Sequence, residues 1–461
     1  MPPPVSGCLL LLDVPKILFR ALLSVHGLHF PLEETVVLIG GIIAGAAYNG
    51  TENSTTTIYP LSADEEFSFI LTEILALANG GGTATSEVLR AASQILPGDF
   101  ESWYNEFNWL GMRIHDLATQ AKSATSKREA LFRASSYYRF SSFFLTGNSS
   151  DPRLYDTFEK SLEDFHEAIS LLPIPGELYS VSGPSYDIPG YFFKANAGNA
   201  TKLPTIVVGS GYDAAQEDSW HALGKEATDR GYNFVTYEGP GQPTVRRKQK
   251  AGFIPEWWDV VTPVVDYLSQ RDDVDMNNLA LIGLSFGGQL APRAASREHR
   301  FKAVFSIDGL VDMQAAVLDK FPDELTTLFK SSNASFFDKV VSSALDQPDT
   351  STLFKWFTSQ GLWAFNTTSY YDWLSQLGEF ALTQELVNNI SAYGWVGKGE
   401  DDDLVGGQED VLARYYNASG RRDATFQLFP MNLGAGLHCQ LGAEPYLAQA
   451  AFDWLDGIVS I

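Results

Sequence analysis

The run Leu279-Ala280-Leu281-Ile282-Gly283-Leu284-Ser285-Phe286-Gly287-Gly288 constrains this chain more than any other stretch of its sequence. Four apolar residues read as a short buried strand, and Gln289 to Ser296 reads as the start of a helix. A serine between them, flanked at two positions on either side by glycine, is the pattern of a nucleophile turn. The bend is so sharp that a larger side chain at 283 or 287 would meet neighbouring backbone, and it presents the serine hydroxyl at the C-terminal edge of a sheet, beside a helix N-terminus.

The surrounding sequence supplies such a sheet. Beyond Pro173 and Pro175, short β-type runs lie between glycines and prolines: Tyr191-Phe192-Phe193, Thr205 to Val208, Phe234 to Tyr237, Leu279 to Ile282 and Ala303 to Ile307. Helical stretches such as Trp220 to Arg230 and Trp257 to Leu268 alternate with them, which predicts a mostly parallel sheet with helices on both faces. Before it, residues 62 to 172 carry apolar residues three and four apart, as in Trp103, Phe107, Leu110 and Ile114. After it, residues 310 to 388 are again helical and aromatic-rich, and strand-like Tyr393 to Val396 and Thr425 to Phe429 follow. The expected organisation is a leader over 1–47, a helical N-terminal cap domain over 48–175, a first core part over 176–309, a helical lid insertion over 310–388 and a second core part over 389–461. Trp356, Phe357, Trp363 and Trp373 in the insertion are candidates for an apolar pocket wall, with core packing the competing explanation.

A serine needs a base to become nucleophilic, and the base needs a carboxylate to orient it. In α/β-hydrolases the order along the chain is serine, acid, histidine. Of seven histidines only His299 and His438 follow Ser285. His299 ends the helix that the nucleophile begins, about 20 Å along its axis at 1.5 Å per residue, and cannot fold back. His438, in the loop Gly434-Ala435-Gly436-Leu437-His438, is therefore the expected base. Asp402 is the expected acid, from Glu400-Asp401-Asp402-Asp403, with Asp401 and Asp403 open alternatives and Asp308 an outside candidate. The oxyanion hole should combine the N–H of Phe286 with one from Gly211 or Tyr212 in the turn Gly209 to Asp213.

Charge narrows the partners. With 32 basic and 56 acidic residues the net charge is −24, which opposes binding to nucleic acid or anionic lipid. The basic run Arg246-Arg247-Lys248-Gln249-Lys250 reads as an exposed loop. Two cysteines, Cys8 and Cys439, support neither a zinc site nor a disulfide framework, and Cys439 reads as a packing residue. The apolar run Val36 to Ile43 is too short to span a bilayer, which takes about 20 residues, so no stable membrane span is expected. Followed by Ala44-Gly45-Ala46 it resembles a signal peptide, against the acidic Glu33-Glu34 ahead of it. Eight of 17 asparagines lie in Asn-X-Ser/Thr sequons, at 49, 53, 148, 199, 333, 366, 389 and 417. Asn49, Asn53, Asn148, Asn199, Asn333, Asn366, Asn389 and Asn417 are thus candidate glycosylation sites, and secretion or passage through the secretory pathway is the expectation, with the cytoplasm the alternative.

Taken together, Gly211-Tyr212-Asp213 with Glu217, Glu238-Gly239-Pro240-Gly241-Gln242, Gly283 to Gly288 with Ala291-Pro292-Arg293, Gly407-Gln408, and His438-Cys439-Gln440 with Gly442 resemble the fungal and bacterial α/β-hydrolases related to 2,6-dihydropseudooxynicotine hydrolase. The fungal polyketide-shortening hydrolases and related polyketide acyltransferases belong to the same group. The resemblance implies a helical cap on a hydrolase core, a triad of Ser285, Asp402 and His438, cleavage of ester or C–C bonds, and no metal or organic cofactor. Pro243 departs from the pattern, because the family commonly has Gly after the glutamine. The substrate expected is a small molecule of apolar or aromatic character; a homodimer is left open. Acyl transfer with the same triad, and a non-catalytic extracellular binding protein on a hydrolase scaffold, are the competing expectations.

Overall fold

The computed structural model describes residues 58–196, 198, 200–420 and 424–459. The leader over 1–47, Cys8, and the sequons at Asn49, Asn53 and Asn199 lie outside the described residues. Among the described residues no helix is long and apolar enough to cross a membrane.

One eight-stranded sheet organises the chain, in the order β1-β2-β4-β3-β5-β6-β7-β8. β1 (Glu177–Ser182), β2 (Asp187–Phe193) and β4 (Asn233–Tyr237) pair antiparallel. β3 (Leu203–Gly209), β5 (Val274–Leu284), β6 (Ala303–Ile307), β7 (Tyr393–Gly399) and β8 (Thr425–Phe429) join β4 in a parallel array. The central strands are buried on both faces, and period-two alternation sends neighbouring side chains into different layers. Ile206, Val208, Ala280 and Ile282 face one core, shared with the N-terminal helices and the last helix, Glu444–Asp456. Val207, Leu279 and Leu281 face the other, shared with helices Trp258–Ser269 and Gly287–Ala295 and with the insertion.

The N-terminal helices include Glu65–Ala76, Phe100–Gln120, Ala124–Ser141 and Arg153–Ser170. Asp64, Asp99 and Ser123 cap the first three, each side chain accepting from a first-turn backbone N–H. Between β6 and β7 lie six helices, from Met313–Asp319 to Gln384–Asn388. Gln408 fixes where that insertion leaves the sheet: its Oε1 accepts from the N–H groups of Val311 and Asp312 at 2.9 and 2.7 Å, and its Nε2 donates to the Asp312 carbonyl at 2.8 Å.

The basic run corrects the expectation of an exposed loop. Pro243–Gln249 is a helix, started by Pro243 at its first position, where a proline's missing N–H costs nothing. Arg246 is buried and donates from Nε to the Trp363 carbonyl; Arg247 donates to the Leu154 carbonyl at 3.0 Å and its guanidinium lies over the Phe158 and Trp363 rings. The charges are thus turned inward, tying the core to both helical regions, and only residues 248–250 are exposed. Asn148, Asn333, Asn366, Asn389 and Asn417 are all exposed.

Candidate active site

Ser285 follows β5 with a backbone φ of +58°, in the left-handed region where a side chain other than glycine is strained. Its N–H donates to the Ile307 carbonyl at 2.9 Å and its carbonyl accepts from Gly288 N–H at 2.8 Å, so the strained conformation is held from both sides. A Cβ on Gly283 would strike the Gly287 carbonyl, and one on Gly287 would sit 2.7 Å from the carbonyl oxygens of both Gly209 and Ser210. The two glycines are therefore required by close backbone approach, as the sequence pattern suggested.

The Ser285 hydroxyl lies 2.8 Å from His438 Nε2, and His438 Nδ1 lies 2.6 Å from Asp402 Oδ2. With the proton on Nδ1 donated to Asp402, Nε2 is free to accept from the serine. Burial pushes the imidazole pKa down, but the Asp402 carboxylate and the neighbouring Cys439 together outweigh it and hold it well above the ordinary histidine range. Asp402 is buried, its other oxygen accepting from Leu404 N–H at 3.0 Å, while Asp401 and Asp403 are partly exposed and make no bond to the imidazole.

Asp308, the outside candidate, has another occupation. Its Oδ1 accepts from Gly399 N–H at 2.7 Å, and its Oδ2 from Cys439 N–H at 2.5 Å and from Gln440 Nε2 at 2.7 Å. It staples the histidine loop to the ends of β6 and β7. Cys439 is a free, half-buried thiol packed against the core, with its own thiol pushed up to about 11 chiefly by burial. His299 is exposed and remote from this network.

The loop expected to complete an oxyanion hole runs beside Ser285. Gly211 sits against the nucleophile: a Cβ there would be 3.0 Å from Ser285 Cβ and 3.2 Å from Phe286 N. Neither Phe286 nor Tyr212 spends its backbone N–H on an acceptor among the described residues. Two glutamines brace the loop. Gln242 donates to the Ser210 carbonyl at 2.8 Å while accepting from Gly239 N–H at 2.8 Å, and Gln360 donates to the Tyr212 carbonyl at 3.0 Å. Tyr212 adds a hydroxyl bond to the Phe357 carbonyl at 3.2 Å.

Ser285 opens on a cavity of about 1190 Å³, walled by helix Glu65–Ala76, by the insertion and by the histidine loop. Trp356 and Phe357 line it; Trp363 and Trp373 pack in the core instead. Three contributions were not read from the sequence. Gln360 comes from a helix 75 residues beyond the nucleophile. Glu409, wholly buried behind Asp402 with neither carboxyl oxygen bonded, is pushed up to about 7, first by burial and then by Asp402. Glu66 and Glu73 line the cavity from the N-terminal helices; their spacing of seven within the apolar face Phe67, Ile70, Leu71 and Ile74 was the available signal. The described residues include two groupings with metal-ligand spacing, Asp308-His438-Cys439 and Asp308-Asp402-Glu409, and in both the Asp308 oxygens are already taken by N–H donors.

A sheet of this order carrying Ser285 on the turn after β5 defines an α/β-hydrolase, and the chain belongs to that family. It is 31% identical over 288 residues to the alpha/beta hydrolase xenA of Xenoacremonium sinensis, covering 59% of this chain and 67% of the relative. It is 27% identical over 428 residues to the hydrolase acrC of Aspergillus aculeatus, covering 85% of this chain and 96% of that one. Residues 228–354 match the prolyl oligopeptidase family. Among solved structures, the 2,6-dihydroxy-pseudo-oxynicotine hydrolase superposes with a TM-score of 0.65 at 17% identity, over 84% of this chain and 95% of its own. The fold and the relationship expected from the motifs are those found, and the protein is an α/β-hydrolase.

Proposed function

We propose that the protein is a serine hydrolase that cleaves an ester, or a C–C bond next to a carbonyl, in a small molecule with substantial apolar surface. One observation carries this reading: an unbroken hydrogen-bonded relay from Ser285 through His438 to Asp402, opening on a large cavity. Ser285 Oγ attacks the carbonyl carbon as His438 Nε2 takes its proton, and Asp402 stabilises the imidazolium that forms. The N–H of Phe286, with that of Gly211 or Tyr212, supplies the hydrogen bonds to the tetrahedral oxyanion. When the intermediate collapses, His438 returns the proton to the leaving group, an alkoxide from an ester or the enolate carbon of a 1,3-dicarbonyl. Water then attacks the acyl-enzyme, giving up a proton to His438, and the acid leaves with Ser285 regenerated.

No step needs a group beyond these side chains and water. Hydrolysis of an aryl-ester series and of acyl-phenol diketones by wild type and by Ser285→Ala tests the reading. Turnover of either class that disappears in the variant supports it, and turnover retained by Ser285→Ala would overturn it.

A further inference from the structure

The sequons stand outside everything the Ser285 site uses. Eight of 17 asparagines lie in them, where the serine and threonine content would place about two or three by chance. Among the described residues, Asn148, Asn333, Asn366, Asn389 and Asn417 are all exposed, and none lines the cavity in front of Ser285. Each lies at a helix end or in a connection. Asn148 falls between helices Ala124–Ser141 and Arg153–Ser170, and Asn333 caps Ala334–Leu345. Asn366 and Asn389 follow Thr352–Ala364 and Gln384–Asn388, and Asn417 is in the last turn of Gln408–Ala418. Such segments open locally at little cost.

The deciding atom is Nδ2, the nitrogen to which a glycan is joined. None of the five asparagines donates from it to a described residue. Where their side chains bond, Oδ1 accepts: from Ser150 N–H at 3.1 Å in Asn148, from Phe336 N–H at 3.3 Å in Asn333, and from Arg246 Nη2 at 2.9 Å in Asn366. Three asparagines outside sequons spend the same nitrogen. Asn79 donates to Glu444 at 3.4 Å, Asn233 to Thr205 Oγ1 and the Asp273 carbonyl at 3.2 and 3.0 Å, and Asn278 to Asp275 at 2.7 Å. A glycosylated amide keeps its carbonyl oxygen, so the three Oδ1 bonds survive attachment.

We infer that Asn148, Asn333, Asn366, Asn389 and Asn417 are acceptors for N-linked oligosaccharide, which places the maturing chain in a secretory compartment. In the transfer, Nδ2 attacks the anomeric carbon of an oligosaccharide carried on a lipid pyrophosphate. The C–N bond forms as the C–O bond to the pyrophosphate breaks, one Nδ2 proton passes to a base on the transferring enzyme, and the lipid pyrophosphate leaves. The sugars then cover surface that the Ser285 site does not use. The inference stands on the sequons and the free nitrogens, independently of the reaction at Ser285.

The test is to express the full chain, with its own N-terminus, in a filamentous fungus, and to release N-glycans with an amidase in heavy-oxygen water. Each occupied asparagine becomes an aspartate carrying the heavy oxygen, which peptide mapping locates against an untreated sample. All five asparagines are expected to carry the label. Asn277, exposed but in no sequon, is expected to carry none. Ser150→Ala, Ser335→Ala, Thr368→Ala, Ser391→Ala and Ser419→Ala each remove a sequon and keep its asparagine, so each should lose one glycan as a single step on a gel. Label at a majority of the five upholds the inference, and a chain labelled at a minority or at none overturns it. The wild-type map stands even if a variant does not fold.

Discussion

The neighbourhood of Ser285 and the cavity wall formed by helix Glu65–Ala76 are built on opposite rules. Around Ser285 the groups that fix the turn and the loops beside it are partnered, with the buried Glu409 the exception: Ser285 N–H on Ile307, Asp308 on three donors, Gln242 and Gln360 on the loop Gly209 to Asp213. On helix Glu65–Ala76, the Glu66 carboxyl lines the cavity with no hydrogen bond to a described residue. The difference separates two tasks. Chemistry needs groups already fixed where charge will develop, so that no reorganisation is required during reaction. Recognition can leave a group unsatisfied until the ligand arrives.

The comparison breaks most visibly at the relay. Ser285→Ala should lower kcat/KM on the order of 10⁴-fold or more, measured with whichever aryl ester proves the best substrate, with the fold intact by circular dichroism. Asp402→Asn should cost roughly 10³- to 10⁴-fold. It should also move the acid limb of the pH–rate profile. Activity is lost as His438 becomes protonated, and Asp402 holds that protonation well above the ordinary histidine range; removing the carboxylate therefore shifts the limb to lower pH. Asp401→Asn and Asp403→Asn, whose carboxyls do not reach the imidazole, should leave the limb in place. A limb that moves with Asp403 rather than Asp402 would reassign the acid.

Smaller effects sharpen the contrast. Gln360→Ala frees the Tyr212 carbonyl and should lower kcat by roughly ten- to a hundredfold, because a slightly misplaced donor is costly. An unchanged kcat would mean that the insertion does not support the oxyanion loop. Glu409→Gln should act on stability. The folded protein holds this carboxyl's proton up to about pH 7 against an ordinary value near 4.5, so native stability falls as pH rises through that interval. The substitution should raise the melting temperature above pH 7, by the equivalent of up to about 3 kcal/mol, and less at pH 5. Equal effects at both pH values would contradict a titrating Glu409.

Much of the first region was legible in the sequence because its signals are local. The run from Leu279 to Gly288 encodes strand, turn and helix in ten residues, and chain order then leaves one histidine. Asp402 could be preferred over its neighbours but not separated from them by physics alone, since the imidazole distance comes only with the fold. β1 was missed because it is an edge strand whose residues Glu177–Ser182 are mostly exposed and carry no clear apolar alternation. The buried face of Pro243–Gln249 was missed because three adjacent cations suggest solvent, and their partners, Leu154 and Trp363, lie about 90 and 120 residues away in sequence. Gln360 and Glu66 belong to the same class: neither has a local signature, and each gains meaning only when the helical regions close over the sheet.

The most direct test of the relay is covalent. Folded protein incubated with a fluorophosphonate and analysed by intact mass and peptide mapping should carry one adduct, on Ser285, formed more slowly as pH falls and His438 takes up its proton. Absence of an adduct in folded protein, or an adduct on another serine, would contradict the account.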